Sequence, residues 1–119
     1  MHENYSFCKE NRLVNQAQFK AVRSFGVRVR NPLCIVNACK NELNYPRIGI
    51  ITSKKSLPKA VTRNKVRRIV KEWFRYRIKK LPSLDIIVIM SFASRYTTTK
   101  ELHLCLDKLL QRVEKQCKL

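Results

Sequence analysis

KAVTRNKVRRIVKEWFRYRIKK, residues 59–80, followed after Pro82 by DIIVIMSF, residues 85–92, is the stretch on which the fold of this 119-residue chain turns. Wound at about 100° per residue, the first part gathers Val66, Ile69, Val70, Trp73 and Tyr76 on one side of a helix. Arg63, Arg67, Lys71 and Arg75 form a stripe at spacing four beside them. The helix should stop before Pro82, whose ring and missing N–H do not suit a helix interior. The apolar run that follows reads as a strand buried on both faces. The helix is therefore a crossover between two strands of one sheet, with one side for packing and one for binding.

Its charge decides what the second side binds. Residues 59–80 hold ten Lys and Arg against a single acid, Glu72. Like charges four apart on a helix cost roughly 0.2–0.5 kcal/mol per pair, and an ordinary solvated face mixes signs. A stripe of this kind is expected to face something negative.

Working outward, Asn15 and Gln18 have the spacing of a capping box. Phe19 and Val22 lie on the inner side, and Gly26 is placed to end a short helix in the left-handed conformation. VRVR at 27–30 alternates, LCIVNAC at 33–39 is nearly all apolar, and RIGIITS at 47–53 is rich in β-branched residues. These read as three strands, separated at Pro32 and again at Asn44 and Pro46. Downstream, Thr98 and Glu101 form a second capping box ahead of the stripe Leu102, Cys105, Leu106, Leu109, Leu110 and Val113 on a last helix. The order α-β-β-β-α-β-α gives an α+β fold, an α/β sandwich of one four-stranded sheet with helices. Residues 1–119 make a single domain, with 1–11 expected to be flexible.

The whole chain carries 26 Lys plus Arg against 8 Asp plus Glu, a formal charge of +18. Charge of that size speaks to partners rather than fold, and nucleic acid is the first candidate. The longest apolar run, 86–90, is far short of the ~20 residues that span a bilayer, and the N-terminus lacks the pattern of a signal peptide. The expectation is a cytoplasmic protein with no membrane partner. Five cysteines, Cys8, Cys34, Cys39, Cys105 and Cys117, are odd in number and include no Cys-x-x-Cys pair, so they read as small buried hydrophobes.

Hydrolytic chemistry has little to stand on. A protein nuclease needs clustered carboxylates for Mg²⁺ or a histidine pair for acid and base work. Here the acids Glu3, Glu10, Glu42, Glu72, Asp85, Glu101, Asp107 and Glu114 are scattered, no two closer than six residues. His2 lies at the very start, and His103 reads as a structural residue of the last helix. Gly26 and Gly49 stand alone, so there is no phosphate loop. No catalytic or metal-ligating residue and no protein-bound cofactor is assigned.

Residues 53–74, SKKSLPKAVTRNKVRRIVKEWF, resemble the RNR signature of the bacterial ribonuclease P protein subunit. Arg12, Leu13, Phe19 and Gly26 resemble that family's opening pattern, Arg47, Ile48 and Gly49 its strand before the Ser-Lys-Lys turn, and residues 85–89 its fourth strand. The resemblance implies the ribosomal protein S5 domain 2-like fold. It also implies a Mg²⁺-dependent catalytic centre on a partner RNA, bound one to one, and assistance in removing the 5′ leader from precursor tRNA. Arg63, Asn64, Lys65, Arg67, Arg68 and Lys71 are then expected to face the catalytic RNA, and Lys54 and Lys55 to add phosphate contacts. A cleft between the first helix and the sheet would hold the leader, with Phe19, Arg23, Arg28 and Arg30 as its residues. Phe19 reads equally well as core.

The chain departs from the family pattern in places. Lys65 stands for an arginine and loses the planar fork that grips a phosphate twice. Arg23 occupies a position often aromatic, Ser91 one often arginine, and Leu57 with Pro58 a turn where glycine is frequent. A ribosomal or other structural RNA-binding protein is the alternative. A DNA reader is disfavoured because Trp73, Phe74 and Tyr76 look like packing residues, and an independent nuclease is disfavoured by the scattered acids.

Overall fold

A computed structural model describes Arg12 and residues 16–117. The elements are α1 (Gln16–Phe25), β1 (Val27–Arg30), β2 (Cys34–Lys40), β3 (Arg47–Ile51), α2 (Ala60–Arg77), β4 (Leu84–Met90), a 3-10 helix (Phe92–Tyr96) and α3 (Thr99–Cys117). The expected order holds. The 3-10 helix is an addition to it, and β4 begins and ends slightly earlier than expected. Residues 1–11 and Asn15 of the expected first capping box lie outside the described residues.

One four-stranded sheet runs β1-β2-β4-β3. β4 is central, antiparallel to β2 and parallel to β3, which is why six of its seven residues are buried. Alternation divides the sheet into two faces. Val29, Val36, Ala38, Ile48, Ile86, Val88 and Met90 share the main core with Val66, Ile69, Val70, Trp73 and Phe74 of α2 and Leu102, Leu106, Leu109 and Val113 of α3. The other face carries a smaller cluster, Val22 of α1 on Ile87, with Phe19, Cys39, Ile51 and Ile89 packed against it.

Tyr76 is not part of the core: it is 53% exposed, and Phe74 is fully buried in its stead. The buried arc of α2 centres near Val70 and Trp73. Tyr76 lies about 60° round the helix from Trp73, on the side away from Phe74, with the Arg75 guanidinium carbon 5.6 Å from its ring centroid.

Gly26 also differs from expectation. Its N–H closes the last turn on the Val22 carbonyl at 2.9 Å, but its φ lies outside the left-handed range. Glycine is required by space, since a Cβ here would stand 2.4 Å from the Val22 oxygen and 2.6 Å from the Ala38 oxygen. The helix end is pressed directly onto β2.

The second capping box forms as read. The Thr98 N–H donates to Glu101 Oε1 at 3.0 Å, and the Glu101 N–H to Thr98 Oγ1 at 3.1 Å, so two orphan donors are satisfied reciprocally. α3 is clasped to α2 by Asp107, which accepts from Trp73 Nε1 at 2.8 Å and pairs with Arg77 Nε at 2.6 Å. His103 Nε2 lies 3.0 Å from the Ile69 carbonyl, a structural role between the same two helices.

Candidate nucleic-acid interface

The basic helix packs on one face of the sheet and α1 on the other, so the two groups of expected RNA-binding residues stand on opposite sides of the molecule. On α2, Asn64, Arg67, Arg68, Lys71, Glu72 and Arg75 line an open groove of about 460 Å³. At about 100° per residue these six fall within a 140° arc opposite the buried one. Asn64, Arg68 and Lys71 are exposed. Glu72 pairs with Arg68 at 3.5 Å, an exposed i,i+4 contact that offsets part of the repulsion among the cations.

The other signature residues sit differently. Arg67 is half-buried on the flank toward β3, where its Nη1 donates to Thr52 Oγ1 at 2.9 Å and approaches the Ile50 carbonyl at 3.4 Å. Arg63 Nη1 donates to the Leu57 and Pro58 carbonyls, both at 2.9 Å. Both side chains thus hold the helix to the segment before it while keeping further N–H groups for a ligand. Lys65 is half-buried on the opposite flank, away from the groove.

Lys54 and Lys55 project from a turn that the sequence locks locally. Ser53 Oγ accepts the Ser56 N–H at 3.0 Å, the Ser53 carbonyl accepts the Leu57 N–H at 2.9 Å, and Leu57 is wholly buried. Leu57 therefore anchors the turn, and the two lysines remain exposed beside the start of α2.

On the far face, strand register sets out the cleft in rows. Arg28, Asn37, Ile87 and Gly49 stand in one row across the sheet, and Arg30, Ile35, Ile89 and Ile51 in the next. In the first, Asn37, Ile87 and Gly49 are buried; in the second, Ile35, Ile89 and Ile51 are half-exposed, so α1 leaves an apolar strip open. Phe19 is half-buried beside that strip, packed against the cluster of Val22 and Ile87. Arg23, one helical turn on from Phe19, and Arg28 and Arg30 on the β1 edge are exposed around it.

Sequence reasoning did not pick out Ile35, Ile51 and Ile89, because a strand apolar on both sides does not reveal which side is incompletely covered. One end of the face is closed by Arg47. Its Nε and Nη2 grip Asp85 at 2.8 and 2.6 Å, and Asn41 donates to the same carboxylate at 2.9 Å. This paired hydrogen bonding pushes the Arg47 guanidinium above its usual pKa.

Four of the acids among the described residues are spent on structure. Asp85 is held by Arg47, Asp107 by Trp73 and Arg77, Glu101 by the capping box and Glu72 by Arg68. Among the described residues no three His, Cys, Asp or Glu side chains converge as a metal site, and no helix is long and apolar enough to cross a membrane.

Two cysteines distant in sequence do meet. Cys34 and Cys105 are buried with their sulfurs 3.9 Å apart. The two thiols share a hydrogen bond, and the Cys105 pKa falls to about 7 through that bond and a second from the Asn31 amide. Cys34 itself is pushed up, by the bond, by burial and by the neighbouring charge.

A family profile described as Ribonuclease P matches residues 7–114. The ribonuclease P protein component of Coxiella burnetii is 37% identical over 107 residues, covering 90% of this chain and 88% of its own length. That of Pseudoalteromonas atlantica is 36% identical, with 98% and 97% covered. The RNase P protein of Staphylococcus aureus superposes with a TM-score of 0.79 at 33% identity, covering 85% of this chain and 93% of that one. The Thermotoga maritima protein gives 0.76 at 31%, with 87% and 97% covered. The chain belongs to the family of ribonuclease P protein components, the protein subunit of an endoribonuclease.

Proposed function

We propose that the chain assists a catalytic RNA in removing the 5′ leader from precursor tRNA, as a one-to-one subunit in the cytoplasm, and donates no catalytic group. The observation that carries this reading is the placement of two chemically distinct surfaces on opposite faces of one sheet. The open side of α2, with Arg68, Lys71, Asn64 and the reach of Arg67, suits the phosphate backbone of a folded RNA, with Arg63 and Lys65 on its two flanks. Lys54 and Lys55 extend it. The cleft under α1 combines an apolar strip and Phe19 with the cations Arg23, Arg28 and Arg30, which suits a single strand that offers both bases and phosphates.

Such a subunit acts by electrostatics and geometry. It screens repulsion between the two RNAs, and it holds the leader so that Mg²⁺ on the catalytic RNA meets the scissile phosphate. A purely ribosomal role is not favoured, since the family match spans residues 7–114.

The test is to incubate precursor tRNA at low Mg²⁺ with the protein alone, the cognate catalytic RNA alone, and both together. Stimulation only in the last is expected. Cleavage by protein alone, or no stimulation of the RNA, overturns the proposal.

A further inference from the structure

The 3-10 helix between β4 and α3 carries an exposed aromatic pair that neither RNA surface uses. Phe92 is 55% and Tyr96 77% exposed. The turn itself is firmly seated: Ser94 and Thr97 are buried, Ser94 Oγ donates to the Ser91 carbonyl at 2.6 Å, and the Thr97 N–H donates to the Ser94 carbonyl at 3.0 Å. Ser91, in turn, bonds across to the start of β2, its hydroxyl 2.7 and 2.8 Å from the Pro32 and Leu33 carbonyls. The two rings are thus displayed by a fixed backbone.

Arg95 lies between them in chemistry as in sequence. Its guanidinium carbon is 3.6 Å from the Phe92 ring centroid and 4.6 Å from that of Tyr96, and Nη1 is held by the Phe92 carbonyl at 3.0 Å. Flat π surfaces and a fixed cation therefore stand together, facing a groove of about 270 Å³ closed by Leu57, Pro58, Lys59 and Thr62. No acid lines it. Lys59, Arg63 and Arg67 follow at spacing four, and each step of four turns about 40° round the helix. One basic ridge thereby leads from this groove to the open side of α2.

We propose that this groove is a base-stacking site, in which Tyr96 and Phe92 receive an unpaired RNA base while Arg95 and Lys59 hold its flanking phosphates. Aromatic faces select a planar partner and the surrounding cations select an anionic one. An unpaired nucleotide supplies both. Choosing RNA over other planar anions rests on the proposed reading of α2; the aromatic and cationic geometry does not.

The test uses the full chain and a single-stranded oligouridylate carrying one 5-iodouracil, irradiated and mapped by peptide mass spectrometry. Crosslinks to Tyr96 or Phe92 are expected. Affinity for the same oligonucleotide is then measured in a Phe19→Leu background, so that the cleft contributes no ring. Tyr96→Leu with Phe92→Leu should weaken binding by about five- to a hundredfold without changing the salt dependence, and Tyr96→Trp should retain it. Both positions are exposed, so unchanged melting curves will confirm that the variants fold.

Crosslinks confined to other sites, wild-type affinity in the leucine variants, or an equal loss in the tryptophan variant would each overturn the inference. The last two results point instead to an apolar protein contact or to a general loss of surface. Stimulation of precursor cleavage is a separate readout. Its absence with Tyr96 crosslinks intact would sink the ribonuclease reading and leave this site standing.

Discussion

Replacing Gly26 with alanine should separate the two proposed RNA surfaces. α1 is fastened to the sheet by Val22 on Ile87, by half-buried Phe19, and by the close approach of Gly26 to β2. The added Cβ would lie 2.4 and 2.6 Å from two carbonyl oxygens, against about 3.3 Å for a tolerated carbon–oxygen contact. Both obstacles are backbone, so no rotamer change relieves them: the last turn of α1 must distort around the Val22 carbonyl, and the helix end must lift from Ala38 by roughly 0.7 Å or more.

Overpacking of this kind costs about 1–3 kcal/mol, here near the upper end. Alanine returns about 0.4–1 kcal/mol through the unfolded chain. A net loss of about 2 kcal/mol lowers the melting temperature by about 8–10 °C in a domain of this size.

The functional consequence is asymmetric. Gly26→Ala should lose the affinity advantage of precursor over mature tRNA in the reconstituted complex, while affinity of the protein for the catalytic RNA changes less than about twofold. Thermal denaturation and the two binding assays check this. A melting temperature within about 2 °C of wild type, or a parallel loss of catalytic-RNA binding, would refute the reasoning.

Other expectations follow from single contacts. Asp107→Ala leaves the buried Trp73 N–H without its acceptor and frees Arg77, which should destabilise by about 1–3 kcal/mol in urea titration; Asp107→Asn should cost less, because an amide oxygen still accepts. Arg68→Ala and Lys71→Ala should each reduce the slope of log affinity for the catalytic RNA against log salt by about 0.9, and an unchanged slope removes that residue from the interface. Because the folded pKa of Cys105 lies below its unfolded value, stability should rise between about pH 7 and 9. Because that of Cys34 lies above, stability should fall beyond about pH 9. Cys105→Ser should flatten both limbs of a denaturation profile against pH.

Much of this was legible before folding because it is local. The period of α2, the apolar run of β4 and the Thr98–Glu101 box each depend on neighbours within a turn or two, and each forms as read. What escaped is set by distant partners. Tyr76 was assigned to the core because its spacing sits at the edge of the apolar arc, where only the width of the facing surface decides. The sequence marks Gly26 as a special position, but the reason is space taken by the Val22 carbonyl and by that of Ala38 twelve residues on, not a left-handed conformation. Cys34 and Cys105 are separated by 71 positions, and no spacing rule brings them together. In the candidate interface, the cations were visible at once. The tethering of Arg63 and Arg67 to residues 50–58, and the half-open row of isoleucines, required the sheet.

The sheet order has a consequence for how the chain reaches this state. β2 and β3 are consecutive in sequence but never pair; β4 must enter between them, matching Lys40 with Leu84 and Cys34 with Met90. Until about residue 90 is available, β3 has no neighbouring strand and α2 no completed surface to lie on. The basic helix α2 is therefore present in the nascent chain well before anything holds it in orientation. Long-range pairing of this kind slows folding and exposes strand edges meanwhile. The final third of the chain, which contributes few of the residues proposed to touch RNA, governs when the rest becomes competent to do so.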